Sequence, residues 1–327
     1  MQSSELMYLP VKRLHSRANF LVAKVKQGGG TRYIDEAIDL DHEALEHYPP
    51  DHPERSVSLV WLASHLSDCY DQLGATGDLE AAIVLDREAL HLRPQGHPDR
   101  SISLNNLANR LCTRYDQLGA MDDLDEAIAL DREALGLRPQ GHPLRSSTLN
   151  NLALDLSTRY NKHGAISDLG EAIVLDREAL DLRPQGHPDR SMSLDNLAAH
   201  LSYRYNRFGA MEDLDEAIVL VREAIDIRPQ GHPNRPGSLN NLATHLSTRY
   251  EQLGEMDDLD EAITLDREAF DLRPQGHPDR SMSLNNLANR LYTRCNQLGT
   301  MEDLDEAIVL SREALNLRPQ RHPLRSS

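Results

Sequence analysis

The stretch RPQGHPDR at residues 93–100 sets His97 and Asp99 between two arginines. These side chains can move protons, ligate a metal or grip an anion. The string returns at 183–190 and 273–280, with RPQGHPLR at 138–145, RPQGHPNR at 228–235 and RPQRHPLR at 318–325. Arg93, Arg138, Arg183, Arg228, Arg273 and Arg318 stand 45 residues apart, and YPPDHPER at 48–55 fits the same frame. An active site is built once, so a string made this often reads first as a structural joint. A His-lined binding edge is the alternative. His97, His142, His187, His232 and His277 would then lie on the order of 10 Å apart at ordinary helix spacing, too far to share a metal.

Other routes to chemistry are thin. Cys69, Cys112 and Cys295 stand at three different places in their repeats and form no CxxC pair. They read as reduced thiols, which fits a cytoplasmic setting, and as small buried hydrophobes rather than nucleophiles. No phosphate-cradling G-x-x-x-x-G-K, zinc H-E-x-x-H, nucleophile G-x-S-x-G or dinucleotide-binding glycine pattern occurs. The expectation is a protein that is not an enzyme and needs no cofactor or metal. Lys+Arg 35 against Asp+Glu 52 gives a net charge of −17, which disfavours a nucleic-acid backbone as partner. At 4% aromatic residues, base-stacking platforms are also disfavoured. The N-terminus lacks a continuous apolar targeting core, and no stretch is apolar for long enough to span a membrane.

The period organises everything else. Seven units follow without a gap: 11–55, 56–100, 101–145, 146–190, 191–235, 236–280 and 281–325, after an N-terminal segment 1–10 and before a tail 326–327. A fixed period of this size is the mark of a solenoid. In one unit, Leu104, Leu107, Ala108, Leu111, Tyr115 and Leu118 recur at helical steps and predict a first helix from about Pro98 to Leu118, closed by Gly119. Asp123 with Glu126 predicts a capping box for a second helix. Its apolar face is Leu124, Ala127, Ile128, Leu130, Ala134, Leu135 and Leu137, and Pro139 stops it. In the octapeptide the first Pro then ends one helix, Gly turns the chain, and the second Pro opens the next.

Leu104, Leu107, Ala108, Leu111, Ala127, Ala134 and Pro139 follow the order of the tetratricopeptide repeat. HPDRSISLNNLA at 97–108 is similar to the repeats of kinesin light chains. The near-identical units also resemble fungal arrays that often precede a caspase-like CHAT protease domain. The unit departs from the 34-residue family repeat by its 45-residue length, and Asp86, Asp131, Asp176 and Asp266 stand where an aromatic is usual. The resemblance implies an all-α right-handed superhelical solenoid of seven helix-turn-helix repeats, with the first helices lining its concave side.

Off the apolar stripe of the first helix stand two asparagine columns. One is Asn106, Asn151, Asn196, Asn241 and Asn286; the other is Asn105, Asn150, Asn240 and Asn285, interrupted by Asp195. Asn109 and Asn289 lie beside them. An amide carries a donor and an acceptor, as a peptide unit does. The columns could therefore grip an extended peptide or clasp neighbouring helices. His65, Arg110, Asp155, His200, His245 and Arg290 vary within an otherwise constant repeat, as specificity positions or drifting surface positions would. The uniform Arg114, Arg159, Arg204, Arg249 and Arg294 suggest structural ion pairs, with the Asp131-type carboxylates as candidate partners.

The expected function is a scaffold or adaptor binding a protein or extended peptide, with a sensor segment ahead of a C-terminal effector as the alternative. HPLRSS ends the chain with no polar capping helix after it, so an end that meets a partner, including a second copy, is also expected.

Overall fold

The computed structural model describes residues 9–317 apart from 27, 29, 31, 51 and 53. The last octapeptide and the C-terminal end expected to meet a partner lie outside the described residues, as does the N-terminal segment up to residue 8. The described elements are fourteen α-helices. Two compact units divide the chain at Gly164/Ala165. The first holds α1 (Leu9–Lys26), α2 (Arg32–Glu46), α3 (Arg55–Leu73), α4 (Thr76–His91), α5 (Arg100–Leu118), α6 (Met121–Gly136) and α7 (Arg145–His163). The second holds α8 (Ile166–Asp181), α9 (Arg190–Phe208), α10 (Met211–Ile227), α11 (Arg235–Leu253), α12 (Met256–Asp271), α13 (Arg280–Leu298) and α14 (Met301–Leu317). Within each unit, helices pack in chain order, α3 on α4 and α4 on α5, α9 on α10 and α10 on α11. This is a tetratricopeptide-like all-α solenoid of paired helices.

The apolar stripe explains the packing. Leu104, Leu107, Ala108, Leu111 and Tyr115 are buried on α5, and Leu124, Ala127, Ile128 and Ala134 on α6. Each buried leucine contributes roughly 1.5–3 kcal/mol, and the alanines let neighbouring helices approach closely. Leu118 and Leu137 fall outside this core at 67% and 42% exposure, because the helices end where no neighbour covers them.

Both predicted helix starts move. The second helix begins at Met121 after the N-cap residue Ala120, not at a capping box on Asp123. The Asp123 carboxylate is held instead by Arg114, at 2.8 and 2.6 Å. The first helix begins at Arg100, with Pro98 still in the turn. Two successive turns fill the joint, His97 N–H to the Pro94 carbonyl and Arg100 N–H to the His97 carbonyl. Gly96 supports them at φ 89°, a region that L side chains avoid.

The octapeptide thus has a residue-by-residue account. His97 Nδ1 accepts the Asp99 N–H at 3.1 Å, and His142, His187, His232 and His277 do the same for the residue two places on. An accepting Nδ1 leaves the ring proton on Nε2. The first arginine is buried. Arg93 donates to Ser56 Oγ on α3, to the Asp99 carbonyl in the joint and to Ser103 Oγ on α5. The last arginine, Arg100, caps the preceding helix by donating to the Arg93 carbonyl at 2.7 Å, and pairs with Glu133 at 2.8 Å. The repeated string is a joint.

Candidate functional site on the first helices

Beneath the first helices runs a buried polar network. Asp41, Asp86, Asp131, Asp176 and Asp266 on the second helices are fully buried. Each stands 24 residues before a member of the variable column. Asp41 is paired with His65, Asp86 with Arg110 at 3.0 Å, Asp176 with His200 at 2.6 Å and Asp266 with Arg290 at 2.7 Å. The variable column is therefore buried between successive pairs, its exposure nowhere above 7%. Neither reading of this column, specificity positions or drifting surface positions, describes buried side chains: His65, Arg110, His200 and Arg290 face the carboxylate of the preceding helix, and His245 is buried without one. Where Val221 replaces the carboxylate, burial lowers the His245 pKa to about 4, so this ring is neutral. Where the column itself is Asp155, burial and the facing Asp155 charge push Asp131 up to about 8. Burial also pushes Asp155 up to about 7.

The Asn105 column belongs to the same network. Asn105 donates to Asp131 at 3.1 Å and accepts from Arg138 at 3.1 Å. Asn240 bridges Asp266, at 2.7 Å, and Arg273 in the same way. One amide thus joins a buried carboxylate to a buried guanidinium, which uses both of its functions. Asn150 is buried at 4% and Asn285 is half-buried. Of the two readings open to the asparagine columns, peptide grip or helix clasp, the amides of this column take part in the helix packing. In the pair with Val221 the carboxylate has moved to the first helix as Asp195, which is paired with Arg228. The arginines of the Arg114 column find different acids from those expected. Arg114 bonds Asp123 and, at 2.8 Å, Glu80 of the preceding pair, while Asp131 lies in the network just described.

The other face of the first helices is open. Its four columns, written for successive pairs, are Ile102, Asn106, Asn109 and Thr113, then Ser147, Asn151, Leu154 and Thr158 in the first unit. In the second unit they are Met192, Asn196, Ala199 and Tyr203, then Gly237, Asn241, Thr244 and Thr248, then Met282, Asn286, Asn289 and Thr293. All of these are exposed or half-exposed and none is charged. Asn151 donates to Asn109 at 3.1 Å, whereas Asn196 and Asn241 have no side-chain partner among the described residues. Both line a groove of about 530 Å³ bounded by Met192, Gly237, Arg273 and His277. The opposite surface differs, with second-helix ion pairs such as Arg177–Glu216 at 2.6 Å and Arg267–Glu306 at 2.5 Å.

Two of the three thiols, Cys69 and Cys112, are held protonated. Burial and the Asp78 carboxylate push Cys69 up to about 12, and burial beside Asp155 pushes Cys112 up. Cys112 donates its S–H to Asp155 at 3.0 Å. No group of three or more metal-ligating side chains occurs among the described residues, and no described helix is long and apolar enough to cross a membrane.

Comparison with known proteins agrees with the helix pairs. The tetratricopeptide repeat family model matches residues 102–144, 145–189 and 280–324. The chain is a tetratricopeptide-like repeat protein. It is similar to a Podosopora anserina protein described as a kinesin light chain with nearly identical TPR-like repeats. That match has 23% identity and a TM-score of 0.49, and covers 69% of this chain and 100% of that one. BtubC from P. vanneervenii has 19% identity and a TM-score of 0.48, with 80% and 91% covered. YrrB, a TPR protein with an unusual peptide-binding site, has 14% identity and a TM-score of 0.44, with 78% and 97% covered. No curated protein matches the chain.

Proposed function

We propose that the chain is an interaction scaffold that binds an extended peptide or protein segment on the open face of its first helices. The observation that carries this reading is the charge pattern. In a chain of net charge −17, the four columns of that face carry no charge from Ile102 to Thr158 in the first unit or from Met192 to Thr293 in the second. A surface depleted of charge, with amides beside Met192, Tyr203 and Leu154, has the composition of an interface core. Small threonines and serines leave room for a backbone, and free amides such as Asn196 and Asn241 offer it a donor and an acceptor. Each neutral hydrogen bond so made is worth about 0.5–1.5 kcal/mol, so affinity accumulates along the face.

The test screens the full chain against a library of short synthetic peptides. The variant Asn151→Ala/Asn196→Ala/Asn241→Ala should weaken the selected peptides about tenfold or more, by loss of several such bonds, with little change in Tm. Loss of Tm in step with loss of binding would assign these amides to a helix clasp instead.

A further inference from the structure

Three times in the second unit a first helix ends on a large apolar residue and, after the turning glycine, the second helix begins on a methionine. The pairs are Phe208 with Met211, Leu253 with Met256 and Leu298 with Met301. Phe208, Leu253 and Leu298 are more than half exposed, although Tyr205, Tyr250 and Cys295 three residues earlier are buried. Gly209, Gly254 and Gly299 turn the chain at φ 72°, 75° and 72°, before a neighbouring helix covers the last side chain. Folding does not require an apolar group there, because His163 holds the same place in the first unit. Along this edge lies a groove of about 530 Å³ bounded by Tyr250, Gly254, Met256, Thr293, Gln297 and Leu298. Apart from Thr293, none of these residues belongs to the four columns of the open face.

The charge along this edge is acidic and uncompensated. The turn segments 206–212, 251–257 and 296–302 hold five carboxylates, Glu212, Glu251, Glu255, Asp257 and Glu302, against one cation, Arg207. All five acids are exposed, and none makes a side-chain hydrogen bond or ion pair among the described residues. The arginines beside them serve other acids: Arg204, Arg249 and Arg294 hold Asp213, Asp258 and Asp303 at 2.6, 2.8 and 2.7 Å. Arg290, whose field reaches Glu251, is engaged by Asp266 at 2.7 Å. On the outer surface of the second helices, by contrast, acids such as Glu216 and Glu306 have their arginines. A second copy of the chain would set these carboxylates against their own kind, so the complementary partner is basic.

We infer that the turn edge of the second unit docks a basic amphipathic helix, with its apolar side on Phe208, Leu253, Leu298 and the methionines and its Lys or Arg residues against the flanking carboxylates. A helix carries one continuous apolar stripe with charges on either side of it, which is the pattern this edge complements. Methionine is unbranched and adapts to the side chains laid on it. The surface is separate from the open face of the first helices, and the inference stands whether or not a peptide binds there.

The test titrates the full chain with a labelled amphipathic helical peptide of leucine and lysine, read by fluorescence anisotropy. A scrambled peptide of the same composition and a leucine–glutamate counterpart are the controls. Wild type should bind the leucine–lysine helix and neither control. Phe208→Gln/Leu253→Gln/Leu298→Gln should lose about tenfold or more with little change in Tm, since these side chains are exposed. Glu251→Gln/Asp257→Asn/Glu302→Gln should lose as much while keeping every apolar group, and it decides the matter should the first variant not fold. Asn196→Ala/Asn241→Ala should bind the helix as wild type does. Loss of binding in that variant would put the peptide on the open face and overturn the inference. Equal binding of the scrambled peptide would reduce the effect to charge attraction and also overturn it. So would sedimentation showing a wild-type dimer that the apolar variant abolishes, because the occupant would then be a second copy. No binding of the helix, or binding unchanged in both edge variants, overturns it as well.

Discussion

At the scale of single residues, the joint places three kinds of demand side by side. Gly141 sits at φ 87°, so Gly141→Val imposes strain of about 1–3 kcal/mol, to be read from urea unfolding. His142→Ala removes one neutral acceptor from the Leu144 N–H and should cost about 1 kcal/mol. Arg138→Met strands Asn105, Thr148 and the Ser101 carbonyl without their buried donor. It should cost most of the three, about 3–5 kcal/mol, as broken buried charge networks do. Parity among the three would mean that the joint tolerates what its geometry forbids. Nearby, the Asp131–Asp155 site makes a pH prediction with a definite sign. Both folded-state pKa values, about 8 and about 7, lie above the ordinary carboxylate value near 4. The folded chain therefore holds protons that the unfolded chain has released. Stability from this site is full below about pH 4 and is lost as pH rises toward about 8. Asp155→Asn should flatten that part of the profile, measured as the wild-type minus variant difference in unfolding free energy across pH. A difference that grows in the opposite direction would rule out protonated carboxyls there.

At the scale of elements, the sequence made some features plain and hid others for a physical reason. Period, helix order, the glycine stop at Gly119 and the proline stop at Pro139 are local signals, and each appears where backbone sterics require it. The 24-residue relation between Asp86 and Arg110, or Asp176 and His200, was also on the page, but it links a second helix to the first helix of the next pair. Helical periodicity sorts residues by face and carries no information on which neighbouring helix that face meets. Arg93 and its equivalents, charged by type, are nonetheless buried because serine hydroxyls and carbonyls satisfy them there. The same network predicts a rescue. Asp195→Asn alone leaves Arg228 without its carboxylate, and Val221→Asp alone places a second carboxylate beside it. Combined, they restore the arrangement of the pairs containing Asn105 and Asn240. A double-mutant cycle should show favourable coupling of about 1–3 kcal/mol. Simple additivity would show that the two helices do not share one charge site.

At the scale of the whole molecule, a 45-residue register means that removing one unit leaves every helix facing a helix of the same kind. Stability in such an array is a sum of units and neighbouring interfaces, so a clean deletion should leave a shorter folded protein. The buried column makes the outcome depend on which unit is removed. Deleting 191–235 brings Asp176 to the 24-residue spacing from His245, reproducing the Asp–His pair that Asp176 now makes with His200. Deleting 236–280 instead brings Val221 to that spacing from Arg290, which loses the carboxylate of Asp266 while remaining in a position that is 7% exposed. A buried cation left without its partner is strongly destabilising, by about 3–5 kcal/mol. Both deletions should keep the helical circular dichroism of a folded array, but the second should melt earlier than the first. Adding Val221→Asp to the second should recover much of the difference. Equal melting of the two deletions would show that interfaces in this array are set by apolar packing alone. Collapse of helical signal in both would show that its stability is not the sum of neighbouring pairs.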